Sequence, residues 1–249
     1  MSDDLESQLK AADLDRWLAT RFMADAQARS DVVALYSLDL ELAAVAQRAT
    51  QPLMGEIRFA WWRERLEALA AGRPGAEHPV LVALAPALAE GRIPLAAVED
   101  LVLARHAELS DPWFKGEADL DQYLDAVDGA LAVMALTRLD PGADPAAVAA
   151  AARLAGLGRL LRRESPPGGT AVWWPQSWRD AAASAGDEAE VLGHLDHKLA
   201  GLRRTARAAA RLSPAAFPAI AHASLALDHR SGPLVRRGRM LAAIVAGRI

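Results

Sequence analysis

Apolar residues recur at intervals of three and four along almost all of this 249-residue chain. That is the period of one face of an α-helix, and the strict alternation of a half-buried strand is scarce. Composition points the same way. Hydrophobic residues make up 52% of the chain, enough for a sizeable core, but aromatics only 5%. Ala, which loses no side-chain entropy in a helix, is abundant. The predicted fold class is all-α, a single-domain helical bundle over 1–249 with short loops and no internal repeat.

Turn chemistry divides the pattern. A first helix is expected over about 13–26, with Leu14, Trp17, Leu18 and Phe22 on one face. Ser30 and Asp31 are placed to cap a second, running to about residue 50, with Leu35, Leu38, Leu42 and Val45 inward. Pro52 opens a third, which carries Trp61 and Trp62 and ends near Gly72. Further helices are expected over about 79–90, 94–109, 119–138 and 146–163, with three or four more beyond 177. The stretch 170–175 is the one β-like piece.

Several function classes drop out. A formal net charge of -4 gives no overall attraction to nucleic acid. With no Cys, disulfides, thiolate metal sites and a Cys nucleophile are excluded. The six His residues show no H-E-x-x-H spacing, and no G-x-S-x-G elbow is present. The first ten residues are acidic and polar, unlike a targeting segment, and no run of about 18 apolar residues suggests a membrane span. The expected location is cytoplasmic, with peripheral contact to the inner face of a membrane left open. Arg203, Arg204, Arg207 and Arg211 recur at helical spacing and suit either solvent or an acidic surface.

Six segments, in order, resemble the squalene/phytoene synthase family. Asp15-Arg16-Trp17 resembles its D-R-Y opening and Ala34-Leu35-Tyr36 its A-x-Y. Trp62-Arg63 through Leu66 resembles W-R-x-x-L. Asp119-Leu120 with Tyr123, followed by Val127-Asp128-Gly129, resembles D-L-x-x-Y and V-A-G. The stretch 154–162 resembles the Q-L-T-N-I-L-R helix, and Val172 to Pro175 falls where the family has Y-L-P. The match is clearest over 15–175. It implies a helical bundle of the isoprenoid synthase type with a central cavity, where two acidic motifs hold Mg²⁺ against a prenyl diphosphate. The chemistry needs them, because the departing diphosphate must be neutralised by cations held on carboxylate oxygens.

This chain departs at those places. The first D-D-x-x-D falls on Ala43, Ala44 and Gln47. The second motif's acids fall on Arg163 and Pro167, and the family's Gln and Asn on Gly156 and Arg159. No metal is expected there. Asp121, Asp125 and Asp128, at i, i+4 and i+7, offer a relocated Mg²⁺ site or, alternatively, a solvated helix face favoured by the macrodipole. Asp128 also stands at the small residue of V-A-G. Asp39 and Glu41 are two residues apart and so point to different faces; one could approach the cavity mouth and serve as a substitute carboxylate, with solvent as the ordinary expectation. Arg159, Arg162 and Arg163 form a basic cluster that could grip a phosphate or simply end a helix. Tyr36, Trp61, Trp62, Tyr123, Asp128, Trp173 and Trp174 are candidates to line the cavity, with core packing as the ordinary alternative for the aromatics.

The resemblance therefore implies a non-catalytic member, similar to the degenerate branch that acts in assembly of respiratory complex I. An isoprenoid or a protein would be its partner, and no cofactor is expected. The alternatives are a Mg²⁺-dependent prenyltransferase with relocated carboxylates and an unrelated helical interaction module.

Overall fold

A computed structural model of the chain describes residues 2–49, 51–73, 78–109, 114–162, 174–186, 189–209, 211–227 and 232–249. The helices are α1 (Ser2–Ala12), α2 (Leu14–Thr20), α3 (Ala26–Arg48), α4 (Pro52–Ala70), α5 (Pro79–Ala89) and α6 (Leu95–His106). After them come α7 (Glu117–Leu124), α8 (Ala130–Leu139), α9 (Ala149–Leu161), α10 (Gln176–Ala185), α11 (Ala189–Ala208) and α12 (Pro233–Ala246). No strand occurs among the described residues. Of the expected β-like piece, residues 170–173 lie outside them. No described helix is long and apolar enough to cross a membrane.

Two boundaries differ from expectation, each for a local reason. The acidic N-terminal stretch is itself helical, because Leu5 and Leu9, one turn apart, are buried. Asp13 then caps α2 by accepting from the Arg16 amide, and that helix stops at Thr20. Asp25, not Ser30 or Asp31, caps α3, accepting from the amides of Gln27 and Ala28. Asp31 is one turn inside the helix and buried, where it accepts from Gln27, Arg92 and Arg138. It ties α3 to α8 and to the turn before α6.

The third difference governs the interior. The expected helix over 119–138 is continuous but not regular. Between α7 and α8, Asp125–Gly129 form a π-turn, in which the Ala130 amide donates to the Asp125 carbonyl five residues back. This wider turn changes the phase of every side chain that follows it.

The core is built on α3, whose Val32, Leu35, Leu38, Leu42 and Val45 are all buried. It packs against α1, α5, α6 and α8, while α9 packs against α7, α11 and the π-turn. α9 also approaches the tight turns over 221–226 very closely. A Cβ on Gly158 would stand 2.3 Å from the Ala226 carbonyl oxygen, so only glycine fits there. Gly193, exposed in α11, has open space around it. Gly158→Ala should cost about 1–3 kcal/mol through forced backbone displacement. Gly193→Ala should gain up to about 1 kcal/mol of helix propensity. Urea unfolding of both variants checks the pair.

Candidate functional site

On α6, Val98, Leu101 and Val102 form a buried stripe, and the next position of that stripe is Arg105. A guanidinium driven onto an apolar face must find anions, since an unpaired buried charge costs several kcal/mol. Arg105, 1% exposed, finds them in Asp39 of α3 and Glu108. Its Nε donates to Asp39 Oδ1 at 2.8 Å and its Nη1 to Glu108 Oε1 at 2.6 Å. The Tyr123 hydroxyl accepts from Arg105 at 2.9 Å and donates to Glu108 at 2.7 Å.

Arg16 of α2 extends the chain of charges. One nitrogen donates to Asp39 Oδ2 at 2.6 Å and the other to Asp128 Oδ1 at 2.9 Å. Arg159 of α9 closes it from the far side, donating to Asp128 Oδ2 at 2.7 Å. Three arginines and three carboxylates thus join α2, α3, α6, the π-turn and α9 in one buried network. Asp39 and Asp128 stay ionised. Burial works to raise the Asp39 carboxyl, but the guanidiniums of Arg105 and Arg16 overcome it and hold it well below its ordinary value. Asp128 is likewise lowered, burial being outweighed by Arg159 and Arg16.

Asp128 reaches the network because of the π-turn and because of Gly156. A Cβ at position 156 would fall 2.3 Å from Asp128 Oδ2. The carboxylate therefore occupies the space that any side chain at position 156 would need.

A cleft of about 440 Å³ opens beside the network, between α3 and α9. Ala43 and Gln47 line it from one side, Arg159 and Arg162 from the other, and Arg236 of α12 from a third. Arg236 makes a two-pronged ion pair with Asp15, and Arg162 is 4.0 Å from the same carboxylate. Burial raises the Asp15 carboxyl despite Arg236. In and around this cleft, Arg16, Arg105, Arg159, Arg162 and Arg236 are matched by Asp13, Asp15, Asp39, Glu108 and Asp128. The described charges balance.

Other sequence candidates fall elsewhere. Ala44 points away from Ala43 and Gln47, into a second cleft of about 450 Å³ with Trp61, Trp62 and His78. Tyr123 borders a third, of about 400 Å³, beside Phe114. Tyr36 is buried and borders none of the three. Trp174 packs half-buried on the core. Arg163, Pro167 and Trp173 lie outside the described residues. Asp39, expected at the surface, is 1% exposed. Arg105 explains the error, because its charge makes the inward position favourable.

The three aspartates do not form one site. Asp125 is gripped on the outside by Arg153, at 2.6 and 2.5 Å, and Asp121 by Lys198 at 2.5 Å. Asp128 points to the opposite side. Among the described residues, no three acidic or His side chains are grouped to hold a metal. A hard divalent ion needs several oxygen ligands at once, so the described residues do not fit the Mg²⁺ cluster that the family resemblance implies.

Sequence reading missed Arg105, Glu108 and His222. The signal for the first was a charge standing in an apolar stripe. His222 is buried edge-on to Tyr36, with ring centroids 6.2 Å apart. Neither the Tyr36 hydroxyl nor His222 Nδ1 has a hydrogen-bond partner among the described residues. Burial pushes the imidazole down to about 4, helped by the charge of Arg16, and raises the Tyr36 phenol to about 12.

Comparison with known families finds a match to the squalene/phytoene synthase model over residues 9–247. Among solved structures, the chain is similar to a dehydrosqualene synthase crystallised with a ligand. The TM-score is 0.70 at 15% identity, over 98% of this chain and 95% of that one. The likeness establishes the all-α isoprenoid synthase fold. No curated protein sequence matches the chain.

Two stability predictions follow from the charges. Asp128→Asn leaves buried Arg16 with Asp39 alone and half-buried Arg159 against a neutral amide, and should cost about 2–4 kcal/mol. Asp125→Asn removes only an exposed partner of Arg153 and should cost no more than about 1 kcal/mol. Chemical denaturation at neutral pH compares them. For His222, the ordinary value of 6.5 drops to about 4 in the fold, so the unfolded chain takes up a proton in that window and the folded one does not. Stability should therefore fall by about 2–3 kcal/mol between pH 7 and pH 4.5 from this group. Asp15, raised by burial, works in the opposite sense, and the lowered Asp39 and Asp128 lose their contribution only in stronger acid. Urea midpoints across this range should be markedly flatter in His222→Gln.

Proposed function

The chain belongs to the squalene/phytoene synthase family, and from that premise we propose that it is a member that does not ionise prenyl diphosphates. The observation that carries this reading is Arg16, which bridges Asp39 and Asp128 at 2.6 and 2.9 Å. Ionisation of an allylic diphosphate requires carboxylates free to gather Mg²⁺ opposite the leaving group. Here Ala43 and Gln47 line the cleft and bring no carboxylate. The inward carboxylates nearby are already neutralised by guanidiniums. The charge that metal ions would supply is built into the protein as arginine. Such a cleft has no role for a Mg²⁺ cofactor.

What remains is a helical shell with one charged cleft and two others bordered by aromatic side chains, Phe114 and Tyr123 in one and Trp61 and Trp62 in the other, the last two suited to an isoprenoid chain or a protein partner. A role in assembly, like that of the degenerate branch linked to respiratory complex I, is the finer form of the proposal. It rests on the shared loss of the acidic motifs. The runner-up is an active prenyltransferase that recruits Asp39 and Asp128 after Arg16 and Arg159 swing to a bound diphosphate. Those two arginines are the feature in its favour, since guanidinium binds phosphate oxygens bidentately.

Incubation with farnesyl or geranylgeranyl diphosphate and Mg²⁺ should release no pyrophosphate above background. Calorimetry with a non-hydrolysable prenyl diphosphate analogue should show no Mg²⁺-dependent gain in affinity. Robust Mg²⁺-dependent release, lost in a folded Asp128→Asn protein, would establish the prenyltransferase instead. Changing Ala43 and Gln47 to Asp should not by itself create turnover, because the opposite wall of the cleft offers Arg159 and Arg162 and no carboxylate to complete a metal cluster.

A further inference from the structure

α12 is fixed to the body by one face only. Met240 is fully buried, Ala243 and Ile244 pack on the core, and Arg236 is locked to Asp15. These anchors turn the opposite face outward. Leu234 is 85% exposed and Val245 81%, with Leu241 and Val235 about half exposed. Leu234, Gly238, Leu241 and Val245 stand at i, i+4, i+7 and i+11, so they form one straight stripe, with Val235 and Ala242 beside it. Arg237 and Arg239 flank the stripe on its two sides, and Arg248 follows the helix. α12 contains no Asp or Glu, although the whole chain carries a net charge of -4.

We propose that α12 lays this outer face on an anionic lipid surface. An exposed apolar stripe bounded by arginines matches the boundary between acyl chains and negatively charged headgroups. The aliphatic side chains enter the apolar layer while the arginines stay at headgroup level. The helix is too short to span. Fourteen residues rise about 21 Å, against about 30 Å of hydrocarbon, so it lies in the plane of the interface. A protein partner fits the surface less well. The stripe is a convex ridge without a pocket, and it lacks the Trp and Tyr anchors on which tight protein interfaces concentrate. The proposal does not depend on whether the cleft turns over prenyl diphosphates.

Flotation of the full chain with vesicles tests it. Wild type should float with phosphatidylcholine vesicles that contain phosphatidylglycerol, and not with phosphatidylcholine alone. The double variant Leu234→Gln/Leu241→Gln should weaken binding by at least about tenfold, and Arg237→Gln by roughly fivefold. Both positions of the double variant are solvent-exposed, and circular dichroism verifies that it folds. Leu53→Gln/Ile57→Gln, which removes exposed apolar residues from α4, should bind as wild type does. The proposal is overturned if wild type ignores the anionic vesicles, if the α12 variant binds undiminished, or if the α4 variant loses binding equally. Size-exclusion chromatography adds one more arm. Self-association abolished by the α12 variant would assign the face to a second copy of the chain and overturn the lipid reading, whereas a monomer at all concentrations supports it.

Discussion

A guanidinium with no water around it must be surrounded by anions, and the interior of this protein is organised by that requirement. Arg16 and Arg105 are buried, and Arg159 half-buried, where a helical bundle would ordinarily place aliphatic side chains. Each draws a carboxylate inward, and each carboxylate except Glu108 is shared between two arginines. The network costs desolvation that hydrophobic packing would not. What it provides is geometry: five segments far apart in sequence are held at hydrogen-bond distance from one another.

The irregularities of the fold serve the same end. The π-turn rotates Asp128 away from Asp121 and Asp125 and into the interior. Gly156 leaves the space that its carboxylate takes. Relative to the family pattern, a large polar residue on α9 has become Gly156 while a small residue on the facing helix has become Asp128. The two changes are volume-complementary, and neither makes steric sense without the other.

Much of the fold was legible in the sequence because local periodicity reports burial directly. The α3 stripe from Leu35 to Val45 is buried as the spacing predicts, and Pro52 opens α4. The helix start near Asp13 was legible, whereas the start at Asp25 was less so, since several capping residues compete within a few positions. The site was harder. Ala43, Gln47 and Arg159 line one cleft, while Ala44, read with them from the motif, lines another. The ion pairs were not read, since their partners lie 23, 66 and 112 residues apart and nothing in a local window links them. Asp121, Asp125 and Asp128 share a face only on a regular helix. The extra residue in the turn carries no local signature, and it turns Asp128 inward while Asp121 and Asp125 stay on the outer side.

The sharing of carboxylates between arginines also bears on how such a cleft could change over generations. In a cluster where every charge is held by one or two others, a single substitution strands a partner in the interior, so selection acts against intermediates that are one step away. Charges must then arrive or leave in matched sets, or after a stabilising change elsewhere has widened the margin. A chain whose interior charges interlock in this way has in effect passed a ratchet. Its positions 16, 39, 105, 128 and 159 form a single heritable unit, and kinship among relatives should be more faithfully recorded in that unit than in the apolar core around it.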